Sequence, residues 1–116
     1  MNEVSSCIFC KIINDLLPSS KIYEDEYSLV IKDIAPQAPI HYLIIPKKHV
    51  ADIQSLQKED AALAAHLLLV AKKISELDQA TQDFRLVVNN GAGAGQIIFH
   101  LHFHFLGGMQ LGREMI

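Results

Sequence analysis

Three histidines alternate with large apolar residues near the end of this 116-residue chain, at His100, His102 and His104. Side chains on a β-strand point to opposite faces with a period of two. One strand would therefore carry all three imidazoles on one face, about 6.6–6.8 Å apart at the backbone. The other face would be apolar and would pack on a core, through Phe99, Leu101, Phe103 and Phe105. Because imidazole can act as nucleophile, acid, base or metal ligand near neutral pH, this strand is the candidate reactive centre.

A glycine-rich loop immediately precedes the three histidines. Gly91, Gly93 and Gly95 occupy every second position, and Gln96 follows them. Glycine allows the backbone to turn its N–H groups inward and lets an anion approach closely. The loop therefore favours an anionic ligand beside the imidazoles.

The stretch His100-Leu101-His102-Phe103-His104-Phe105-Leu106 resembles the signature of the histidine triad family of nucleotide hydrolases and transferases. Residues 32–37, 40–49 and 89–91 are similar to motifs of the Hint branch of that family, the purine nucleoside phosphoramidases. The matching segments cover about residues 7–108. The resemblance implies an α+β fold: an antiparallel five-stranded sheet with one long and one short helix, and sheets joined between two subunits in a homodimer.

The resemblance also implies an enzyme that hydrolyses nucleoside 5′-phosphoramidates, which join a purine nucleotide to an amine through a P–N bond. His102 matches the nucleophile that carries the nucleotidyl group, and such a covalent intermediate splits one hard step into two. His104 would contact phosphate oxygens and help to protonate the leaving group. His100 and His41 match the remaining histidines of the family's site. No metal is required for this chemistry.

Further positions match the family's nucleotide-binding residues. Asp33 matches its ribose-binding carboxylate, although by itself an Asp before Pro36 is typical of a turn. The phosphate would be bound by Asn89 and by the loop residues Gly95 and Gln96. The base would lie in an apolar slot whose candidate residues are equally typical of an ordinary core: Ile8, Phe9, Ile12, Ile31 and Ile34.

One departure from the family pattern affects the predicted activity. Close relatives often have a serine directly after the loop glutamine, and its hydroxyl contacts the phosphate or the leaving group. This chain has Ile97 there, so one donor is missing. The C-terminal segment also lacks the aromatic ending of animal relatives.

Cys7 and Cys10 form a Cys-x-x-Cys motif that has three interpretations. It is half of a zinc site, a redox pair, or two buried thiols. No thioredoxin-like βαβ pattern surrounds it, which disfavours the redox pair. In the zinc-containing bacterial type of the family, the residues at the positions of His49 and His100 supply the other two ligands. The resemblance therefore implies a structural zinc bound by Cys7, Cys10, His49 and His100.

Length and charge narrow the function classes. A chain of 116 residues predicts a single domain over residues 1–116. The formal net charge of −3 argues against a nucleic-acid binder, because such domains are usually basic. Residues 1–6 lack the pattern of a secretory signal, and no apolar run reaches about 18 residues, so we expect no membrane partner. The two closely spaced cysteines favour a reduced, cytoplasmic protein.

The apolar pattern predicts the order of the elements. A short helix spans residues 8–17, with Ser5 or Ser6 as its N-cap. Strands are predicted at residues 21–24, 28–32, 41–46 and 84–89, followed by the histidine strand. The long helix begins at Ser55 or Gln57 and runs to about Asp78. The order of strands and helices favours an α+β fold with an antiparallel sheet.

The long helix also predicts an assembly. Within residues 61–71 only His66 is polar. A helix that is apolar all round must be buried all round, and one sheet of a small domain covers only one side. A second copy of the chain is therefore expected on the other side, unless the stretch is merely rich in alanine.

Other functions stay open at the level of sequence. A dinucleoside polyphosphate hydrolase is the second enzyme hypothesis, although residues 47–49 and Asn89 fit the Hint branch better. A metal-binding protein would need the three imidazoles to converge, whereas a flat strand favours two at most. A catalytically weak nucleotide-binding or scaffold protein is the remaining hypothesis, and Ile97 favours it.

Overall fold

A computed structural model describes residues 6–112 of the chain. Its strands form one antiparallel sheet with the order β1-β2-β3-β5-β4. They are β1 (Lys21–Glu24), β2 (Ser28–Lys32), β3 (Ile40–Pro46), β4 (Phe84–Val87) and β5 (Phe103–Gly107). The short helix α1 (Ile8–Ile13) and the long helix α2 (Ala61–Ser75) accompany them. This architecture confirms the predicted α+β fold with a five-stranded antiparallel sheet.

Apolar residues cover both faces of the sheet, because the two helices lie on opposite sides of it. The core cluster on the α2 side consists of Val30, Ile44, Leu67, Val70, Ala71, Ile74, Leu101 and Phe105. The core cluster on the α1 side consists of Phe9, Ile12, Leu29, Ile31, Leu43 and Ile45. Alternate residues of β2 and β3 belong to different clusters, as the period of two requires.

Helix α1 is shorter than predicted and has a different cap. It ends at Ile13, and Asp15 then adopts the left-handed conformation with φ 59°. The Leu16 N–H donates to the Lys11 carbonyl across this turn, which uses one of the free carbonyl groups at the helix end. The N-cap is Cys7, whose Sγ accepts from the Cys10 N–H, rather than the predicted Ser6; Ser5 lies outside the described residues.

Helix α2 begins later than predicted. A separate 3-10 turn, Lys58–Asp60, precedes it, and the Asp60 carboxylate accepts the Gln57 N–H to close that turn. The helix also ends earlier, at Ser75, because Asp78 caps the next 3-10 turn. The apolar pattern overestimated the helix at both ends, since local side-chain bonds divide the segment into shorter pieces. Within residues 6–112 no helix has the length and apolar character needed to cross a membrane.

Candidate active site and candidate metal site

The histidine segment is only partly a strand. Strand β5 includes His104, whereas His100 and His102 lie in an irregular stretch before it. The strand predicted through all three histidines is therefore wrong in its extent. A backbone bond from the Leu101 N–H to the Val50 carbonyl, 2.6 Å long, holds the irregular stretch outside the ladder.

The alternation of faces nevertheless holds over most of the segment. Leu101 and Phe105 belong to the α2-side core, and Phe103 packs against it. The rings of His102 and His104 are neighbours, with centroids 5.2 Å apart. Phe99 is the exception, because it is 47% exposed instead of lying in the core.

The imidazole of His102 has one nitrogen bound and one available. Its Nδ1 lies 2.8 Å from the carbonyl oxygen of His100, so Nδ1 carries the proton and donates it. The lone pair is therefore on Nε2. The Phe9 ring packs edge-on against His102 at 5.0 Å, and burial lowers the pKa of His102 below its ordinary value. A neutral, oriented imidazole with a free Nε2 is the form that a nucleophile requires.

His41 and His104 form a second directed contact. The residues are diagonal neighbours across β3 and β5, and His41 Nε2 lies 2.9 Å from His104 Nδ1. His41 Nδ1 accepts the backbone N–H of Gln37 at 3.0 Å, so the ring proton is on Nε2. His41 therefore donates to His104 Nδ1, and neutral His104 keeps its proton on Nε2. Burial lowers the pKa of His104, which favours this neutral form.

Asp33 joins this contact from the loop after β2. Its Oδ2 lies 3.3 Å from His41 Nε2, and its Oδ1 accepts the Ala35 N–H at 2.7 Å. The carboxylate therefore makes the turn that its sequence context predicts and also borders the histidines. The Gln37 N–H that selects the His41 tautomer was not predicted. Nearly every residue has a backbone N–H, and the residue types do not reveal which one bonds a side chain.

Cys7, Cys10, His49 and His100 converge, and their ligand atoms all lie within 4.8 Å of one another. His100 Nδ1 is 3.4 Å from Cys7 Sγ and 3.6 Å from Cys10 Sγ, and His49 Nδ1 is 3.3 Å from Cys10 Sγ. Tetrahedral zinc with ordinary Zn–S and Zn–N bonds separates sulfur and nitrogen ligands by about 3.5 Å. The spacing of these four atoms therefore fits that ion.

The protonation of His100 also fits a metal, and that of Cys10 would change when a metal binds. His100 Nε2 lies 2.7 Å from the Pro46 carbonyl and donates to it, so Nδ1 presents its lone pair to the thiols. Burial lowers the pKa of His100 to about 4, so the ring is neutral. Burial, followed by the neighbouring Cys7, raises the pKa of the Cys10 thiol to about 11. A divalent cation would reverse that effect and bind both sulfurs as thiolates.

A second group of possible ligands, Asp33, His41 and His104, does not fit a metal in the same way. Coordination through His41 Nε2 needs the ring proton on Nδ1. The Gln37 N–H already points at Nδ1, so that tautomer would place two donors against each other. This group is therefore better suited to proton transfer than to binding a cation.

The glycine loop is stabilised by internal hydrogen bonds. Gly91 and Gly95 have φ of 92° and 94°, which glycine adopts without strain. The Gly95 N–H donates to the Ala92 carbonyl, and the buried Gln96 side chain bonds the Gly91 N–H and the Ala51 and Ile98 carbonyls. Gln96 thus positions the loop. Asn89, predicted inside a strand, lies half-buried beyond the end of β4.

The predicted base-binding residues divide between two cavities and the core. Ile12, Ile31, Asp33 and Ile34 line one cavity of about 440 Å³, together with Pro18, Ser19, Ser20 and Lys32. Ile8 lines a different cavity of about 290 Å³, which His49 and Ile97 also border. Phe9 is buried between the rings of His100 and His102. The structure therefore brings together Ile12, Ile31, Asp33 and Ile34, with Ile8 apart from them.

Comparisons with known proteins agree with this fold. The model of the HIT domain family matches residues 15–111. An uncharacterized HIT-like protein of Synechocystis is 50% identical over 101 residues, covering 87% of this chain and 89% of the relative. A HIT family hydrolase of Legionella pneumophila superposes with a TM-score of 0.89 at 42% identity, covering 93% of this chain and 97% of that structure.

A Zn-bound histidine triad family protein of Mycobacterium smegmatis is also similar, with a TM-score of 0.77 and 33% identity, covering 97% of this chain and 81% of that structure. The extent of the family match and these identities establish that the chain belongs to the HIT domain family. The solved relatives named as HIT family hydrolases support a hydrolase in general terms.

Proposed function

We propose that this protein hydrolyses nucleoside 5′-phosphoramidates, breaking the P–N bond of a purine nucleotide through a nucleotidyl-His102 intermediate. The observation that carries the proposal is the tautomer of His102, whose Nδ1–H is held by the His100 carbonyl at 2.8 Å. This tautomer leaves the lone pair on Nε2, beside the ring of His104, and so supports Nε2 as the attacking atom. The other interpretation of the site is a dinucleoside polyphosphate hydrolase, which would use the same nucleophile.

In the first half-reaction, the His102 Nε2 lone pair attacks phosphorus while the P–N bond breaks. The positive charge that develops on the imidazole is stabilised by the His100 carbonyl at Nδ1–H. The departing amine takes one proton from solvent, while the His104 Nε2–H hydrogen-bonds the leaving group and holds it in place. His104 is suited to this role because His41 fixes its other nitrogen at 2.9 Å.

In the second half-reaction, water attacks the phosphorus of the covalent intermediate and releases His102. Water gives up one proton to solvent in this step, which replaces the proton that the amine took up in the first half-reaction, so the atoms and charges of the cycle balance. The nucleoside monophosphate then leaves. The lowered pKa of His102 keeps the attacking ring neutral at pH 7, and activity should fall once acid protonates it.

The nucleotide would lie between the histidines and the 440 Å³ cavity. Asp33 borders both, and we assign it to the ribose hydroxyls, because its carboxylate keeps free lone pairs after binding the Ala35 N–H. Ile12, Ile31 and Ile34 supply apolar walls for the base. Phosphate oxygens would be bound by His104 Nε2–H, with Asn89, Gly95 and Gln96 shaping the adjacent loop.

We also propose that Cys7, Cys10, His49 and His100 hold a structural zinc. Its four protein ligands leave no open position, so the ion would connect α1 to the segment before β5 without entering the reaction. The Zn-bound relative supports this assignment. Thiols kept for a metal suit a reducing compartment, and we therefore place the protein in the cytoplasm.

The test of the function is turnover of a fluorogenic adenosine phosphoramidate by wild-type protein and by His102→Ala. We expect the variant to lose at least about 10³-fold in kcat, as for loss of a covalent nucleophile, while AMP binding persists. His66→Ala is the matched control, since His66 bonds Asp25 on the α2 side of the sheet. Near-normal turnover by His102→Ala would overturn the mechanism. Wild-type protein that binds AMP but cleaves only dinucleoside polyphosphates would favour the alternative enzyme.

A further inference from the structure

Ser19, which lines the cavity of about 440 Å³, has a hydroxyl group without a hydrogen-bond partner among residues 6–112. Ser19 Oγ is buried and makes no hydrogen bond with any of the described residues. Buried hydroxyl groups are normally hydrogen-bonded, and an unsatisfied one destabilises the fold. The unsatisfied Ser19 hydroxyl therefore indicates that a bound ligand supplies its hydrogen-bond partner.

The position of Ser19 fits a ligand-binding role better than a structural one. Ser20 is tied to the sheet, because its carbonyl accepts the Lys32 N–H at 3.0 Å. Ser19 lies one residue outside that bond, and Pro18 before it has no N–H to offer. Since the Ser19 hydroxyl makes no bond in its present rotamer, turning about χ1 toward the cavity would break none.

The order of groups in a nucleotide decides which part reaches Ser19. The phosphate must lie at His102, and the ribose comes next, at Asp33, whose Oδ2 is 3.3 Å from His41. The base then occupies the remaining cavity, where Ile12, Ile31 and Ile34 can cover its apolar faces. The polar edge of the base would be buried without a partner unless a side chain supplies one.

We propose that the Ser19 hydroxyl hydrogen-bonds the edge of the bound nucleobase and so contributes to base selectivity. The assignment rests on the proposed nucleotide function and adds a residue that the histidine and aspartate motifs do not include. Serine can donate or accept, so the hydroxyl recognises a base edge over an apolar group of similar shape. Loss of one neutral hydrogen bond should weaken base-dependent affinity by about three- to tenfold.

The experiment measures the Kd of AMP and of ribose 5-phosphate by calorimetry for wild-type protein and for Ser19→Ala. We expect AMP to bind about three- to tenfold more weakly to the variant, with ribose 5-phosphate unchanged. The free variant should melt at the same temperature as wild type or higher, because an unsatisfied buried hydroxyl has been removed. A hydroxyl that serves only the structure would give a lower melting temperature instead.

Ser75→Ala is the matched control, because the Ser75 hydroxyl lies on α2 and already donates to the Lys72 carbonyl at 2.6 Å. This control should keep wild-type affinity for AMP. Equal losses for AMP and ribose 5-phosphate would move the contact to the sugar and overturn the base assignment, as would unchanged AMP affinity in Ser19→Ala. Wild-type protein that binds neither ligand would refute the nucleotide function itself, a failure that is visible before any variant is compared.

Discussion

The roles of His102, His100 and His41 depend on the backbone group that holds the other nitrogen of each ring. The His100 carbonyl directs His102 Nε2 outward, and the Pro46 carbonyl directs His100 Nδ1 to the thiols. The Gln37 N–H likewise fixes the His41 proton on Nε2. The residue types could be predicted from the sequence as reactive. Their division into nucleophile, donor and metal ligand could not, because the selecting groups are all in the backbone.

Ile97 is the residue that departs from the family pattern, and its side chain is 88% exposed. We expect Ile97→Ser to raise kcat/KM by about 5- to 30-fold on phosphoramidates with poor leaving groups. A restored hydroxyl would stabilise charge that develops in the transition state, by about 1–2 kcal/mol. Steady-state kinetics on a series of amines of increasing basicity measures the effect.

Leu77→Ser is the control for this substitution, since it also removes an exposed apolar side chain, 57% exposed, just after α2. It should leave kcat/KM unchanged. An Ile97→Ser variant that is unchanged or slower on every amine would show that the site has adapted around isoleucine. That result would favour a different substrate or a weak nucleotide-binding protein.

At the scale of elements, apolar periodicity predicted the strands and helices correctly, but it placed the ends of the helices and of the histidine strand poorly. The β2 and β3 patterns reproduce the observed strands almost residue for residue, because alternate positions meet two different cores. Helix α2 was predicted to begin too early, because the bond from the Gln57 N–H to the Asp60 carboxylate closes a separate 3-10 turn over the charged residues Lys58–Asp60. The predicted histidine strand was also too long, because a backbone bond from the Leu101 N–H to the Val50 carbonyl holds the residues before Phe103 outside the sheet.

The candidate metal site could be predicted only in part from residue patterns. Cys7 and Cys10 alone leave zinc, redox and structural interpretations open. His49 and His100 lie far from them in the sequence, and the fold brings all four ligand atoms within 4.8 Å. The family resemblance named the same four residues, but only the folded chain supplies the spacing and the His100 tautomer that fit a tetrahedral ion.

We predict about one zinc per chain in freshly purified protein, measured by elemental analysis. Removing the ion with a chelator should lower the melting temperature by roughly 10 °C, because a structural zinc contributes folding energy and α1 would lose its link to the segment before β5. Adenosine phosphoramidate turnover should persist at temperatures where the metal-free protein stays folded.

His49→Ala should lose the zinc, since His49 Nδ1 lies 3.3 Å from Cys10 Sγ. His66→Ala is again the matched control and should retain one zinc per chain, because His66 bonds Asp25 away from the cluster. Freshly purified wild-type protein without zinc would contradict the assignment and leave Cys7 and Cys10 as two buried thiols.

At the scale of the whole molecule, the two edges of the sheet differ. The β1 edge carries ion pairs, with Lys21 bound to Asp15 and Glu24. Charged edges of this kind resist pairing with another strand. The β4 edge instead begins with Phe84, 37% exposed, and carries half-buried apolar residues. A second copy of the chain would therefore join at β4.

The α2 helix places one exposed leucine on each side of its buried stripe, which makes the predicted homodimer testable by sedimentation. Leu69 lies one turn from His66, which bonds Asp25 at the β1–β2 turn. Leu68 lies on the opposite flank of the helix by its period of 3.6 residues, and we assign that flank to the β4 side of the sheet. Because the β4 edge is the apolar one, Leu68→Glu should shift the protein from dimer to monomer at micromolar concentration. Leu69→Glu is the matched control, because Leu69 is 61% exposed and Leu68 is 57% exposed. The Leu69→Glu variant should stay dimeric. A wild-type monomer would remove the prediction, and dissociation by Leu69→Glu alone would move the interface to the β1 side.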